Sequence, residues 1–180
     1  VDGMGKPFDK DLANMATQRT AELVSLLNKH LKKFHAKLGP GKDSDIIITY
    51  LPEPSVNMFV EVEVVRADRW ERIKKGKYTT VRWPLAKKHK CENYSKEGKL
   101  LILLSVNESN LNEMFYIDCE SWVKQGHEEK APFVKAGGKG YRYRKGQEEP
   151  FWAIEKERVI WGIEKFEEFL LTLLKSKIPR

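Results

Sequence analysis

The chain has 180 residues, a net charge of +7 and 41% hydrophobic residues, a length and composition that suit one compact domain with a full core. No apolar run approaches the roughly 20 residues of a membrane-crossing helix. Residues 1–8 lack the basic-then-apolar pattern of a signal peptide and read as a disordered leader ahead of a single domain, 9–180.

A long helix is expected from Lys10 to Leu38, with Leu23, Leu26, Leu27, Leu31, Phe34 and Leu38 at helical spacing on its buried stripe. Gly39, Pro40 and Gly41 end it. Asp45 to Tyr50, β-branched and apolar, predicts a strand. Pro52 and Pro54 mark the turn that follows, because proline cannot sit in a central ladder. Met58 to Val65 then returns as a second strand. Arg66 to Tyr78 lacks sustained periodicity and reads as a flexible loop, and Thr79 to Trp83 as a short strand. Pro84 suits the first turn of a helix running from Leu85 to about Cys91.

Lys99 to Val106 is a short continuous apolar run, the mark of a central buried strand. Glu113 to Asp118 is the next strand, and Ser121 to Val123 a short connection. Residues 124–150 read as loop with a strand at Gly140 to Arg144. Phe151 to Glu155 is expected as a last edge strand. A closing helix from Gly162 to Lys175 carries Ile163, Phe166, Phe169, Leu170, Leu173 and Leu174 on its apolar side. This order describes a mixed α/β sheet.

The acids of the second strand carry the sharpest chemical signal. Alternate strand residues share a face, so Glu61 and Glu63 point one way and Val60, Val62 and Val64 the other. Asp45 opens the neighbouring strand. Acids gathered in this way repel unless a positive group stands between them, and a divalent cation is the usual one. Cross-strand pairing with Lys or Arg on an exposed face is the competing reading. Glu22, on the first helix, is a further carboxylate or a solvent-facing helix residue.

Positive charge is concentrated in two segments. Arg66, Arg69, Arg72, Lys74, Lys75, Lys77, Arg82, Lys87, Lys88 and Lys90 are opposed within their stretch by Asp68 and Glu71 alone. Lys135, Lys139, Arg142, Arg144 and Lys145 form the second cluster, interleaved with Tyr141 and Tyr143. Such clustering is the electrostatic footprint of phosphate-backbone binding, with Arg66, Arg69, Lys74, Lys75, Lys77, Arg82, Lys139, Arg142 and Arg144 as its residues. Trp70 and Trp83 lie in basic sequence, where core packing and stacking on bases are both open. Cys91 and Cys119 lack metal-site spacing and predict free thiols in a reducing cytoplasm. The histidines show no metal-ligand pattern, and Gly137 to Gly140 lacks the context of a P-loop.

A helix, a strand opening with Asp45, a turn, a strand with Glu61 and Glu63, a basic segment and a helix with Lys87 and Lys88 together resemble the PD-(D/E)XK, or restriction-endonuclease-like, nuclease superfamily. Trp70 after the acidic strand and Tyr78-Thr-Thr-Val-Arg-Trp-Pro84-Leu-Ala-Lys87-Lys88 are similar to a phage and bacterial group within it. The stretches Glu149 to Trp152 and Glu155 to Val159 resemble that group's tail. The resemblance covers roughly residues 12–160. It implies a mixed central sheet flanked by helices and Mg²⁺ or Mn²⁺ held by Asp45, Glu61 and Glu63. The implied activity is endonucleolytic hydrolysis of DNA, by a homodimer on the analogy of restriction enzymes.

The chain departs from the pattern at one place. With Glu63 as the motif's glutamate, its lysine position falls on Val65. With Glu61 there instead, Glu63 takes the lysine position. Lys87 and Lys88, arriving from the following helix, are the expected substitutes. The alternatives are a nucleic-acid-binding module of the same fold without catalysis, and a basic domain that docks an acidic protein.

Overall fold

The computed structural model describes residues 10–40, 44–76, 78–130 and 150–177, and departs from the hydrophobic pattern early. Helix α1, Lys10–His30, stops eight residues short of Leu38, and the chain turns back as strand β1, Phe34–Leu38. Within Phe34–Leu38 burial alternates, Phe34 and Ala36 in, His35 and Lys37 out. Phe34 and Leu38 therefore satisfy a period of two as well as a helical spacing, and pairing with the next strand decides between them. Leu38 ends 53% exposed, so it belongs to no helix stripe.

Strands β1, β2 (Ile46–Tyr50) and β3 (Asn57–Val65) form an antiparallel meander. Helix α2, Ala67–Lys74, follows where a loop is expected. It forms because Trp70 and Ile73, three apart, bury one face, and because Glu108 accepts the Ala67 N–H at 3.0 Å. Strand β4, Thr80–Pro84, includes Pro84 as its last residue, paired with Phe151, so this proline ends a strand and does not open a helix. Helix α3, Ala86–Lys96, then leads to β5, Leu100–Asn107, which runs parallel to β3.

Strand β6 (Asn110–Asp118), helix α4 (Cys119–Gln125) and strand β7 (His127–Lys130) come next. Helix α4 replaces the short connection because Cys119 and Trp122 bury one side and Asp118 caps it, accepting the Ser121 N–H. Strands β8 (Pro150–Glu155) and β9 (Ile160–Trp161) and helix α5 (Phe166–Lys177) complete the chain. The leader 1–8 and the strand expected at Gly140 to Arg144 lie outside the described residues.

Two sheets result. The larger has the order β1-β2-β3-β5-β6-β9, and the smaller β4-β8-β7. Residues 151–155 thus form the middle strand of a small sheet and not an edge. On one face of the large sheet, Leu23 and Leu27 of α1 and Phe166, Leu170 and Leu174 of α5 pack on Ile48, Val60, Ile102 and Tyr116. On the other, Trp70, Val81, Trp83, Tyr94, Trp122 and Ile154 pack on Leu101, Leu103, Phe115 and Ile117. Each fully buried aliphatic side chain contributes about 1.5–3 kcal/mol. The fold is a mixed α/β architecture with a mixed central sheet flanked by helices.

The edge strand β1 is closed by a side chain. Asn28 of α1 accepts the Ala36 N–H at 2.8 Å and donates to the Ala36 carbonyl at 2.9 Å. Cys91 and Cys119 form a disulfide, Cα to Cα 5.4 Å, contrary to the free thiols their sequence context predicts. They lie 28 residues apart, and the α3–β5–β6 excursion brings them together. Among the described residues, no helix is long and apolar enough to cross a membrane.

Candidate acid and lysine site

Strand register sets the acids. Ile46 pairs with Val60, and the antiparallel register carried one residue further brings Asp45 opposite Glu61. The Asp45 N–H donates to the Val60 carbonyl at 3.1 Å, and its carboxylate accepts the Val62 N–H at 2.8 Å. The turn before it requires a glycine: a Cβ at Gly39 would lie 2.1 Å from the Ser44 carbonyl oxygen. Gly39 also donates its N–H to the Asp45 carbonyl at 2.9 Å, so the bend that glycine permits is what delivers Asp45 to the head of β2.

On β3 the alternation holds. Met58, Val60, Val62 and Val64 join the core beneath α1 and α5, while Phe59 and Val65 join the opposite one. Glu61 and Glu63 take that second face. Glu61 lies beside Leu103 of β5 and is 6% exposed; Glu63 lies beside Ser105.

Helix α3 crosses over Glu61. Lys87 and Lys90, three apart and so on one side of the helix, both donate to the same Glu61 oxygen, Lys87 at 3.2 Å. Burial, and then the neighbouring Glu61 carboxyl, push Asp45 up to about 6 against the opposing Val62 N–H and Lys87 charge. Burial works on Glu61 in the same direction. The Lys90 hydrogen bond, the neighbouring Asp45 carboxyl and the Lys87 charge outweigh it and hold Glu61 below the usual carboxylate range. One acid keeps its charge against the lysines while the other holds its proton longer, an arrangement that follows from unequal partners.

The remaining expected residues are divided. Glu63 is turned to Ser105, whose hydroxyl donates to it at 3.2 Å, and to Arg69 at 3.9 Å. Lys88 stands over the Trp152 ring at 4.1 Å and is 3.9 Å from Glu92, away from Glu61. Val65 is 1% exposed in the core. Glu22 is exposed and paired with Arg19 at 2.9 Å. Lys90 is the residue of this cluster that sequence patterning did not single out. Its signal was the spacing of three from Lys87 on a helix that faces an acidic strand.

Of the basic residues, Arg66 and Lys75 are exposed. Lys74 reaches Glu113 at 3.4 Å, and Arg82 lies over the Phe151 ring at 4.4 Å. Lys77, Lys139, Arg142 and Arg144 lie outside the described residues. Trp70 and Trp83 are 1% and 2% exposed. Trp70 stacks on Phe115 and donates to Glu113 at 2.5 Å, and Trp83 packs against Phe115 and Trp122, so neither ring is presented to a base.

Among the described residues, no group of three or more His, Cys, Asp and Glu side chains is gathered to hold a metal ion. The donor set at the site is two carboxylates, Asp45 and Glu61. Both are oxygen donors of the kind a hard divalent cation takes, and Lys87 and Lys90 already share one oxygen of Glu61. No protein-family model matches the sequence, and no curated protein matches it.

Proposed function

We propose that the chain is a metal-dependent endonuclease of restriction-endonuclease-like type that hydrolyses DNA phosphodiester bonds. The observation that carries the reading is the meeting of Asp45 and Glu61 with Lys87 and Lys90 on one face of the sheet. The chain order behind it supports the same reading: acid at a strand head, Glu-x-Glu on the paired strand, lysines on the helix before the parallel strand.

In this reading Asp45 and Glu61 hold Mg²⁺ or Mn²⁺. The ion would polarise a phosphoryl oxygen and lower the pKa of a water ligand. Lys87, the more exposed of the two lysines on Glu61, offsets charge on the phosphate as it leaves the carboxylate. Lys90 stays on Glu61 and orients it. Arg66, Arg69 and Lys75, before, on and after α2, bind the DNA backbone, weakening with salt. Glu63 anchors Arg69 in this role.

A second reading has its own support. No lysine stands at the motif's lysine position, which is Glu63 when Glu61 is its glutamate and the buried Val65 when Glu63 is, and Glu61 is already neutralised by two lysines. A nucleic-acid-binding module that does not cut would have these features.

The test is incubation with supercoiled and linear DNA in Mg²⁺, Mn²⁺ or chelator, beside an Asp45→Ala/Glu61→Ala variant. Metal-dependent cleavage that the variant lacks is the expected result. A gel shift that survives chelator without cleavage would favour the binding module. Neither cleavage nor a shift in moderate salt would sink both and leave docking to an acidic protein.

A further inference from the structure

Helix α3, which brings Lys87 and Lys90 to Glu61, has little hydrophobic hold on the sheet. Of its residues Cys91 and Tyr94 are the ones buried, and the rest are mostly charged or polar. Tyr94 meets the Phe59 ring edge-on at 5.5 Å. Cys91, directly after Lys90, is 3% exposed and is bonded to Cys119, the first residue of α4. An amphipathic helix is normally kept in place by a continuous apolar stripe. Here one of two buried side chains is half of a covalent link, so that link is a principal part of what positions the lysines.

The cavity beside the two cysteines is about 20 Å³, room for a single water, and is lined by Ser95, Lys99, Asp118, Glu120 and Lys177 together with Leu100, Leu101 and Leu173. A thiolate therefore reaches the bond through local opening at α3.

We propose that the Cys91–Cys119 disulfide is a redox tether. Oxidised, it keeps α3 seated with Lys87 and Lys90 on Glu61; reduced by a dithiol, it lets the helix loosen and the lysines leave. This rests on the reading of Asp45, Glu61, Lys87 and Lys90 as the functional site. The exchange balances. One thiolate of the dithiol attacks a protein sulfur to form a mixed disulfide, and its second thiol closes the reagent's own disulfide. Two electrons and two protons end on Cys91 and Cys119 as thiols. In an oxidising compartment the bond persists, and in a thiol-reducing one it is under continuous challenge.

The test compares oxidised protein, dithiothreitol-treated protein and a Cys91→Ser/Cys119→Ser variant. Amide hydrogen exchange and acylation of lysine amines are both read by mass spectrometry. Reduction is expected to speed exchange in α3 by about tenfold or more beyond the acceleration that α1 and α5 share through lower global stability. Lys87 and Lys90 should label faster, and the serine variant should match reduced protein under both conditions. Unchanged exchange in α3 would overturn the tether. Equal acceleration in every element would also overturn it, making the bond a general staple. DNA cleavage is measured alongside and should fall about tenfold on reduction, the scale of a misplaced assisting group. Cleavage that persists while α3 loosens would overturn the regulatory role. Absence of cleavage in the oxidised protein would instead count against the nuclease reading, and the exchange data would still decide the tether.

Discussion

Glu61 on β3 and Lys90 on α3 form a buried charge pair that ties the helix to the sheet, with Lys87 on the same carboxylate oxygen. The carboxylate has few other ways to be satisfied. Its face of the strand is enclosed by α3, and its β5 neighbour Leu103 is fully buried.

Removing one partner of such a pair costs more than removing both, because a buried charge is left uncompensated. Lys90→Met is expected to destabilise the protein by about 1–3 kcal/mol, the lysine's 24% exposure softening the full penalty of a buried pair. Lys90→Met combined with Glu61→Gln should recover part of that loss. Urea melts of the two single variants and the double variant give the coupling directly; strict additivity would show that the pair is not an energetic unit.

Asp45 gives a pH dependence with a definite sign. Its folded value, about 6, is above the ordinary 3.8. A raised acid stabilises the fold fully below its unfolded value, and that contribution is lost as pH rises through about 6. Asp45→Asn can still accept the Val62 N–H but never ionises. It should therefore gain about 1 kcal/mol relative to the parent at pH 8 and nothing at pH 4, the half-buried carboxyl keeping the effect below the full shift. Chemical melts at the two pH values test this, and a difference of the opposite sign would reject it.

The same titration governs cation binding under the nuclease reading. A divalent ion must displace the Asp45 proton. Calorimetry in buffers of different ionisation enthalpy should find proton release on Mn²⁺ binding near pH 6, and little at pH 8. Binding without proton exchange at both values would place the cation elsewhere.

Gly39→Ala tests the placement of Asp45. The added Cβ meets backbone, the Ser44 carbonyl, and not the end of a flexible side chain. A loss of about 1–3 kcal/mol is expected from such overpacking. Any activity requiring Asp45 should fall even at temperatures where the variant stays folded. An unchanged melting temperature and activity would mean the turn can relax.

Cys91→Ser/Cys119→Ser should lower stability by about 3–4 kcal/mol on the loop-entropy account, the loop between the cysteines lying between short and long cases. Guanidinium melts under oxidising conditions measure it; under reducing conditions the variant and the parent should converge.

Sequence patterning read the acidic strand well because two signals agreed there. Valines at 60, 62 and 64 and glutamates at 61 and 63 fix a period of two and both faces at once, and the tertiary structure keeps them. Phe34 to Leu38 was ambiguous for a physical reason, since spacings of four and two coincide over five residues and only the β2 partner resolves them. Helix α2 was hidden because its apolar face consists of two side chains, Trp70 and Ile73, set in dense charge. Lys90 shows in the sequence only its spacing of three from Lys87, and the disulfide shows no local signal. Each depends on where the β3–α3–β5 crossover lays α3, which no local pattern encodes.

Asn28 gives the large sheet a finished hem. By accepting and donating at Ala36 it stands in for the missing neighbour of β1 at the middle of that strand. An intruding chain would have to evict both of those bonds before it could zip alongside. Joining two copies margin to margin at β1 is thereby penalised, and so is templated stacking into fibrils. A lone amide from the first helix acts as the guard, and its replacement by leucine would keep the helix while leaving that margin open.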